Sequence, residues 1–178
     1  AYLNRRPSRY ANAGYGMLRP DQNPNGQVER WLDDGPRSLL IAGPSRTGKT
    51  TAAYAIGNDA HQRGLWVIAR TAAGLSAALK PDSDEPLAFT YATTCPLLVI
   101  DDLGRERVTD WWLEQLHRIV DERCSNELRL IVTANTSPVD AYAELVERYG
   151  DPIVERLVDG GGVLVFDGPA VRKLVTEW

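Results

Sequence analysis

Apolar residues in this chain fall into short, dense blocks divided by turn residues. Ser38-Leu39-Leu40-Ile41-Ala42 is an uninterrupted block closed by Gly43. Comparable blocks occupy 65–69, 97–100 behind Pro96, 128–134, and 163–166 behind Gly160-Gly161-Gly162. Blocks without apolar–polar alternation fit strands covered on both faces. Between them the spacing changes. Ala52, Ala53, Ile56 and Ala60 recur at helical intervals and predict a helix over 50–63, stopped by Gly64. Trp112, Leu116, Ile119, Val120 and Cys124 share one face of a helix over 110–124. Shorter helices are expected over 27–33, 72–79 and 152–158, one from Ser137-Pro138 to Tyr149, and a last one from about Pro169. Residues 1–26 and 81–86 read as loop. The alternation predicts an α/β fold in three layers around five parallel strands.

A length of 178 residues suits one domain, and 43% apolar with 25% charged residues is ordinary for a soluble globular chain. No apolar run approaches the ~18 residues of a membrane span, so no membrane partner is expected. Two cysteines, Cys95 and Cys124, make neither a disulfide framework nor a four-ligand zinc site, which points to a reducing, cytoplasmic setting. The chain begins at Ala1 rather than Met, which points to a trimmed start and leaves room for an upstream domain.

The net charge of −4 does not suggest a generic nucleic-acid binder, but its distribution is uneven. The first twenty residues carry Arg5, Arg6, Arg9 and Arg19 with no acid, and also Tyr2, Tyr10 and Tyr15. Two readings stay open: an arm that grips phosphates and stacks bases, or a solvated arm lying loosely on the domain. Lysine is scarce, with only Lys49, Lys80 and Lys173.

One of those three lysines sits in the strongest signal. Gly43-Pro44-Ser45-Arg46-Thr47-Gly48-Lys49-Thr50 matches G-x-x-x-x-G-K-[ST] in full, between an expected strand and an expected helix. Glycines let such a loop curl so that backbone N–H groups face phosphate oxygens, and the following helix adds its positive end. Lys49 is expected on the β- and γ-phosphates of ATP, the Thr50 hydroxyl on Mg²⁺, and Thr51 completes the nucleotide-binding set.

About fifty residues on, Leu97-Leu98-Val99-Ile100-Asp101-Asp102 puts two carboxylates at the end of a buried strand, where open α/β sheets bind ligands. Asp101 is expected to hold Mg²⁺ through its water shell, and Asp102 to orient or deprotonate the attacking water. Acids also follow strands as helix caps, so the pair alone leaves that alternative open. Ile131-Val132-Thr133-Ala134-Asn135 ends another strand in an amide, expected on the γ-phosphate or the lytic water. Asn135 reads equally as a turn residue before Thr136-Ser137-Pro138.

Together these motifs resemble the AAA+ ATPase domain of bacterial or phage replicative helicase loaders of the DnaC/DnaI type, close to the IstB-type ATP-binding helpers of transposition. The resemblance runs from Pro7-Ser8-Arg9-Tyr10-Ala11-Asn12 through the phosphate loop, Asp101-Asp102-Leu103-Gly104 and Ile119-Val120-Asp121-Glu122-Arg123. It continues through Ile153-Val154-Glu155-Arg156-Leu157 and Val165-Phe166-Asp167-Gly168, ahead of Arg172. It implies a P-loop NTPase of the ASCE class with a minimal C-terminal lid, an arm and lead-in over 1–34 and the AAA+ ATPase domain over 35–178. It implies Arg156 as an arginine finger acting in trans and Arg172 as a γ-phosphate sensor in cis. It places adenine contacts near Arg9 and Tyr10. It implies ATP-dependent self-assembly into a ring or open spiral, slow hydrolysis of ATP to ADP, a hexameric replicative helicase as partner and single-stranded DNA as a further one. The setting implied is bacterial cytoplasm, including that of a phage host.

Two features depart from the loaders. Their N-terminal helicase-binding domain has no counterpart between Arg9 and Gly43. The segment 72–96, where the loaders carry DNA-contacting elements, has Lys80 as its only basic residue. Three other functions therefore stand beside the loader: an IstB-type helper acting on duplex DNA, a monomeric P-loop kinase, and a scaffold that binds ATP and barely hydrolyses it.

Overall fold

A computed structural model describes residues 6–169. Arg5, Tyr2, Arg172 and the helix expected beyond Pro169 lie outside the described residues. Five strands form one sheet: β1 (Ser38–Gly43), β2 (Val67–Thr71), β3 (Leu97–Leu103), β4 (Arg129–Asn135) and β5 (Gly162–Val165). All pair in parallel, in the order β2-β3-β4-β1-β5. The helices are α1 (Gln27–Asp34), α2 (Lys49–Gln62), α3 (Ala72–Leu79), α4 (Ala88–Thr94), α5 (Asp110–Ser125), α6 (Ala141–Tyr149) and α7 (Asp151–Val158).

The sheet separates two apolar cores. Leu39, Ile41, Val67, Leu97, Val99 and Ile131 face α1, α2 and the N-terminal arm. Leu40, Ala42, Leu98, Ile100, Leu130 and Val132 face α3 to α7. Both faces of β1, β3 and β4 are thus covered, which is why their sequences read as solid apolar blocks. Among the described residues no helix is long and apolar enough to cross a membrane.

Several details differ from the sequence expectation. The second strand starts at Val67, because Leu65 and Trp66 are exposed residues of the turn before it. The third strand extends through Asp101 and Asp102 to Leu103. The helix expected from Ser137 begins at Ala141. Ser137 N–H is taken by the Glu144 carboxylate (3.0 and 3.1 Å), and Ser137 Oγ accepts from Val139 N–H (3.2 Å), so the chain turns once before the helix begins.

α4 was absent from the sequence pattern. It is too short to stand alone and is held by tertiary contacts. Arg123, fully buried on α5, donates to Ala92 O (2.6 Å), Cys95 O (2.9 Å) and Arg129 O (2.5 Å), satisfying carbonyls at the end of α4. Burial pushes the Arg123 guanidinium below its usual range.

The described part of the arm is neither loose nor free to stack bases through Tyr10. That ring is buried and stacks on Tyr54 of α2, with centroids 4.8 Å apart. Asn58 Nδ2 donates to Tyr10 O (3.1 Å) and Ala13 O (2.8 Å). Gln22 Nε2 donates to Thr47 O, so the arm also braces the loop after β1.

Candidate functional site

Gly43 ends β1 with φ 135°, and a Cβ there would lie 2.3 Å from Phe166 O; only glycine fits. Gly48 (φ 97°) returns the chain into α2 without any side-chain cap. The first N–H groups of α2 therefore carry no side-chain acceptor, the arrangement that binds anions. Lys49 is 6% exposed, and its Nζ donates to Pro44 O at 2.5 Å. Burial, the largest influence, lowers its pKa to about 8, against the attraction of Asp102 and Asp101.

The sheet order sets β3 beside β4, and the register between them slips. Ile100 pairs with Val132 but Leu103 with Ala134, so β3 carries one extra residue across Asp101 and Asp102. Asp102 takes φ 62° in this bulge, a left-handed conformation that non-glycine residues seldom adopt. The kink aims the two carboxylates differently. Asp101 points inward, 5% exposed, and its Oδ1 accepts from Thr50 Oγ1 (2.9 Å) and Thr133 Oγ1 (2.7 Å). Burial raises its pKa, opposed by those two hydroxyls. Asp102 points to the opening, where Oδ1 accepts from Asn135 Nδ2 (2.6 Å) and Oδ2 pairs with Arg105 Nε (3.1 Å).

These groups converge on one cleft of about 260 Å³. Ser45, Arg46, Gly48, Lys49, Thr50 and Thr51 line it with Asp101, Asp102 and Asn135, and Arg9 and Tyr10 border it. Gly43, Pro44 and Thr47 do not line it. They shape the loop: Thr47 Oγ1 donates to Pro44 O (2.9 Å) beneath the surface. Three further residues belong to the cluster and were not singled out from sequence. Thr133 ties Asp101 to the Asp102 backbone N–H, from which its hydroxyl accepts (2.8 Å). A polar residue inside a solid apolar strand was the available signal. Arg105 and Thr71 also line the cleft, and nothing in their local sequence marks them.

Arg156 lies elsewhere. Its backbone carbonyl accepts from Arg37 (3.0 Å), the residue before β1, whereas the phosphate loop follows β1. At ~3.3 Å per residue the strand separates the two by about 17 Å, more than one arginine side chain spans. Arg156 Nε donates to Asp121 Oδ1 at 2.6 Å.

The family model described as IstB-like ATP binding protein matches residues 30–175. The chain belongs to that family. It is 25% identical over 151 residues to the replicative helicase loader DnaC of Escherichia coli K12, an alignment covering 82% of this chain and 60% of that protein. It is 28% identical over 149 residues to the putative insertion sequence ATP-binding protein y4pL of Sinorhizobium fredii, covering 80% and 59%. The chain thus spans about 60% of the length of these curated relatives. The crystal structure of the DnaC helicase loader superimposes with a TM-score of 0.76 at 25% identity, over 90% of this chain and 100% of that one. The IstB-like chain accordingly has the α/β fold of the AAA+ domains and is an AAA+ ATP-binding protein.

Proposed function

We propose that this IstB-like chain hydrolyses ATP at the cleft between β1, β3 and β4, in assemblies where each site is completed by a neighbour. The observation that carries the reading is the convergence of Lys49, Thr50, Asp101, Asp102 and Asn135 on one cleft while Arg156 sits at the opposite end of β1.

In this reading the curled loop and the start of α2 cradle the phosphates. Lys49 exchanges the Pro44 carbonyl for the β- and γ-phosphate oxygens. Thr50 Oγ1 and the Asp101 carboxylate are hard oxygen donors already facing each other, a fit for Mg²⁺, which keeps several waters and takes phosphate oxygens as well. When bound, Mg²⁺ supplies charge neutralisation across the β- and γ-phosphates. Asp102 orients a water and accepts its proton as the water oxygen bonds to the γ-phosphorus. The bond from the γ-phosphorus to the bridging oxygen breaks, and ADP and phosphate leave. Asn135 fixes the Asp102 carboxylate and reaches the γ-phosphate or the water. Arg156 of a neighbouring subunit adds positive charge to the transition state.

The biological role proposed is assistance in loading a replicative helicase onto single-stranded DNA, supported by the likeness to DnaC. The likeness to y4pL favours a second role, an assembly on duplex DNA in transposition. ATP turnover per subunit, measured against protein concentration, tests the shared core of both. Specific activity is expected to climb with concentration. A flat profile overturns the shared site. Stimulation by single-stranded rather than duplex DNA supports the first role over the second.

A further inference from the structure

The cleft contains a cation that the reading above does not use. Arg105 follows Gly104 in the turn after β3, with its side chain 67% exposed and its Nε 3.1 Å from Asp102 Oδ2. Its backbone is anchored mainly through the residue that follows it. Arg105 N–H donates to Asp102 O (3.4 Å). The next residue, Glu106, is 5% exposed and accepts from Gly104 N–H (2.9 Å), Trp112 Nε1 (3.2 Å) and Tyr149 Oη (2.5 Å). A buried carboxylate with three donors fixes the base of the turn, and Arg105 projects from it as a long arm.

Both oxygens of Asp102 are therefore engaged: Oδ1 by the Asn135 amide, Oδ2 by the Arg105 guanidinium. Neither carboxylate oxygen is left open to a water. The Arg105 half of the pair is exposed, and a pair open to solvent is weak. A guanidinium on phosphate is strong, because its planar fork meets two oxygens at once. Arg105 lines the same cleft as Lys49 and is near enough to act on its charge, and Lys49 is the group expected on the γ-phosphate. A γ-phosphate there is a better partner for Arg105 than Asp102 is.

We propose that Arg105 is a γ-phosphate contact supplied by the chain's own β3 turn, and that its transfer from Asp102 to the γ-phosphate distinguishes ATP from ADP and frees Oδ2 to meet the attacking water. The inference rests on the cleft being the nucleotide site. With ADP the third phosphate is missing, Arg105 stays on Asp102, and the site rests. Arg105 is thus specific to the triphosphate state, whereas Lys49 serves both nucleotides.

The test is equilibrium binding of ADP and of the β,γ-imido analogue of ATP to the full chain with Mg²⁺. Arg105→Ala is expected to weaken triphosphate binding about tenfold and ADP binding less than twofold. Arg105→Lys, which keeps the charge and loses the fork, falls between. Asp102→Asn removes the resting partner and tightens triphosphate binding severalfold, and that gain shrinks when Arg105→Ala is added. Equal effects on both nucleotides, or none, overturn the proposal, as does an Asp102→Asn gain that is unchanged without Arg105. Lys49→Ala separates the two failures. If that variant still binds both nucleotides normally, the cleft is not the nucleotide site. If it loses both while Arg105→Ala changes neither, only the role of Arg105 falls.

Discussion

The two ends of the β-sheet are built in opposite ways. At the C-terminal ends of the strands, polar groups are buried, short-bonded and interlocked. Asp101 is held by two hydroxyls, Thr133 bridges it to the next backbone N–H, and a bulge strains Asp102 into a left-handed conformation. At the N-terminal ends lies an arginine on the last turn of a short helix, tied through one ion pair whose side chains are 40% and 45% exposed. Preorganised dipoles are what a reacting centre needs, because they cost no rearrangement when charge develops. A group offered to another molecule has a different requirement: a fixed backbone and a side chain that can leave. Arg37 fixes the backbone at Arg156, and the exposed pair with Asp121 lets the side chain go.

Removing the group at the far end gives the largest expected effect. Arg156→Ala is expected to cut turnover by roughly 10³-fold at concentrations where subunits assemble, the lower range for arginine fingers. Nucleotide affinity of the dilute chain should not change. A loss of affinity in dilute solution would mean that Arg156 acts within its own chain, against the separation across β1. Next comes Lys49→Ala, expected to weaken both nucleotides by about a hundredfold, the scale of a lost preorganised charge contact. Here dilution should make no difference, the reverse of Arg156. Turnover at assembling concentration, with equilibrium titration at two protein concentrations, checks both variants.

A smaller change probes how rigid the C-terminal end is. Thr133→Val keeps the volume and removes the hydroxyl between Asp101 and the Asp102 N–H. One buried donor and one buried acceptor lose a partner, which costs about 1–3 kcal/mol of stability. Turnover should fall about tenfold, because Asp101 loses one of its two positioning bonds. Thermal unfolding and turnover report the two effects separately. A stability loss with unchanged turnover would show that the bulge alone positions the carboxylates.

The same contrast explains what could be read from sequence. The curled loop was legible because its geometry is local, with glycines at Gly43 and Gly48 where φ is positive. The central strands were legible because burial on both faces leaves an unbroken apolar record. Thr133, Arg105 and α4 were not legible, for a shared reason. Each depends on a neighbour distant along the chain: Asp101 across the sheet, the cleft opposite the turn, and Arg123 beneath the helix. The packing of the arm was hidden for the same reason: Tyr10 is held by Tyr54 and Asn58, neighbours more than forty residues on. Arg172 lies outside the described residues.

The smallest expected effect sharpens the comparison most. Asp121 is the partner of Arg156 in the isolated chain, at 2.6 Å. An exposed pair of this kind contributes ~0.2–1 kcal/mol. If Asp121 only occupies Arg156 between encounters, that energy opposes assembly, and Asp121→Ala returns it. Half-maximal turnover then moves to lower protein concentration, by at most about fivefold. The rate at saturating concentration stays unchanged, and the thermal midpoint falls slightly. The opposite outcome is equally definite. A shift to higher concentration, with a lower saturating rate, would mean that Asp121 aims Arg156 at the neighbouring site. The N-terminal end would then be preorganised as well, and the difference between the two ends would be one of location rather than of construction.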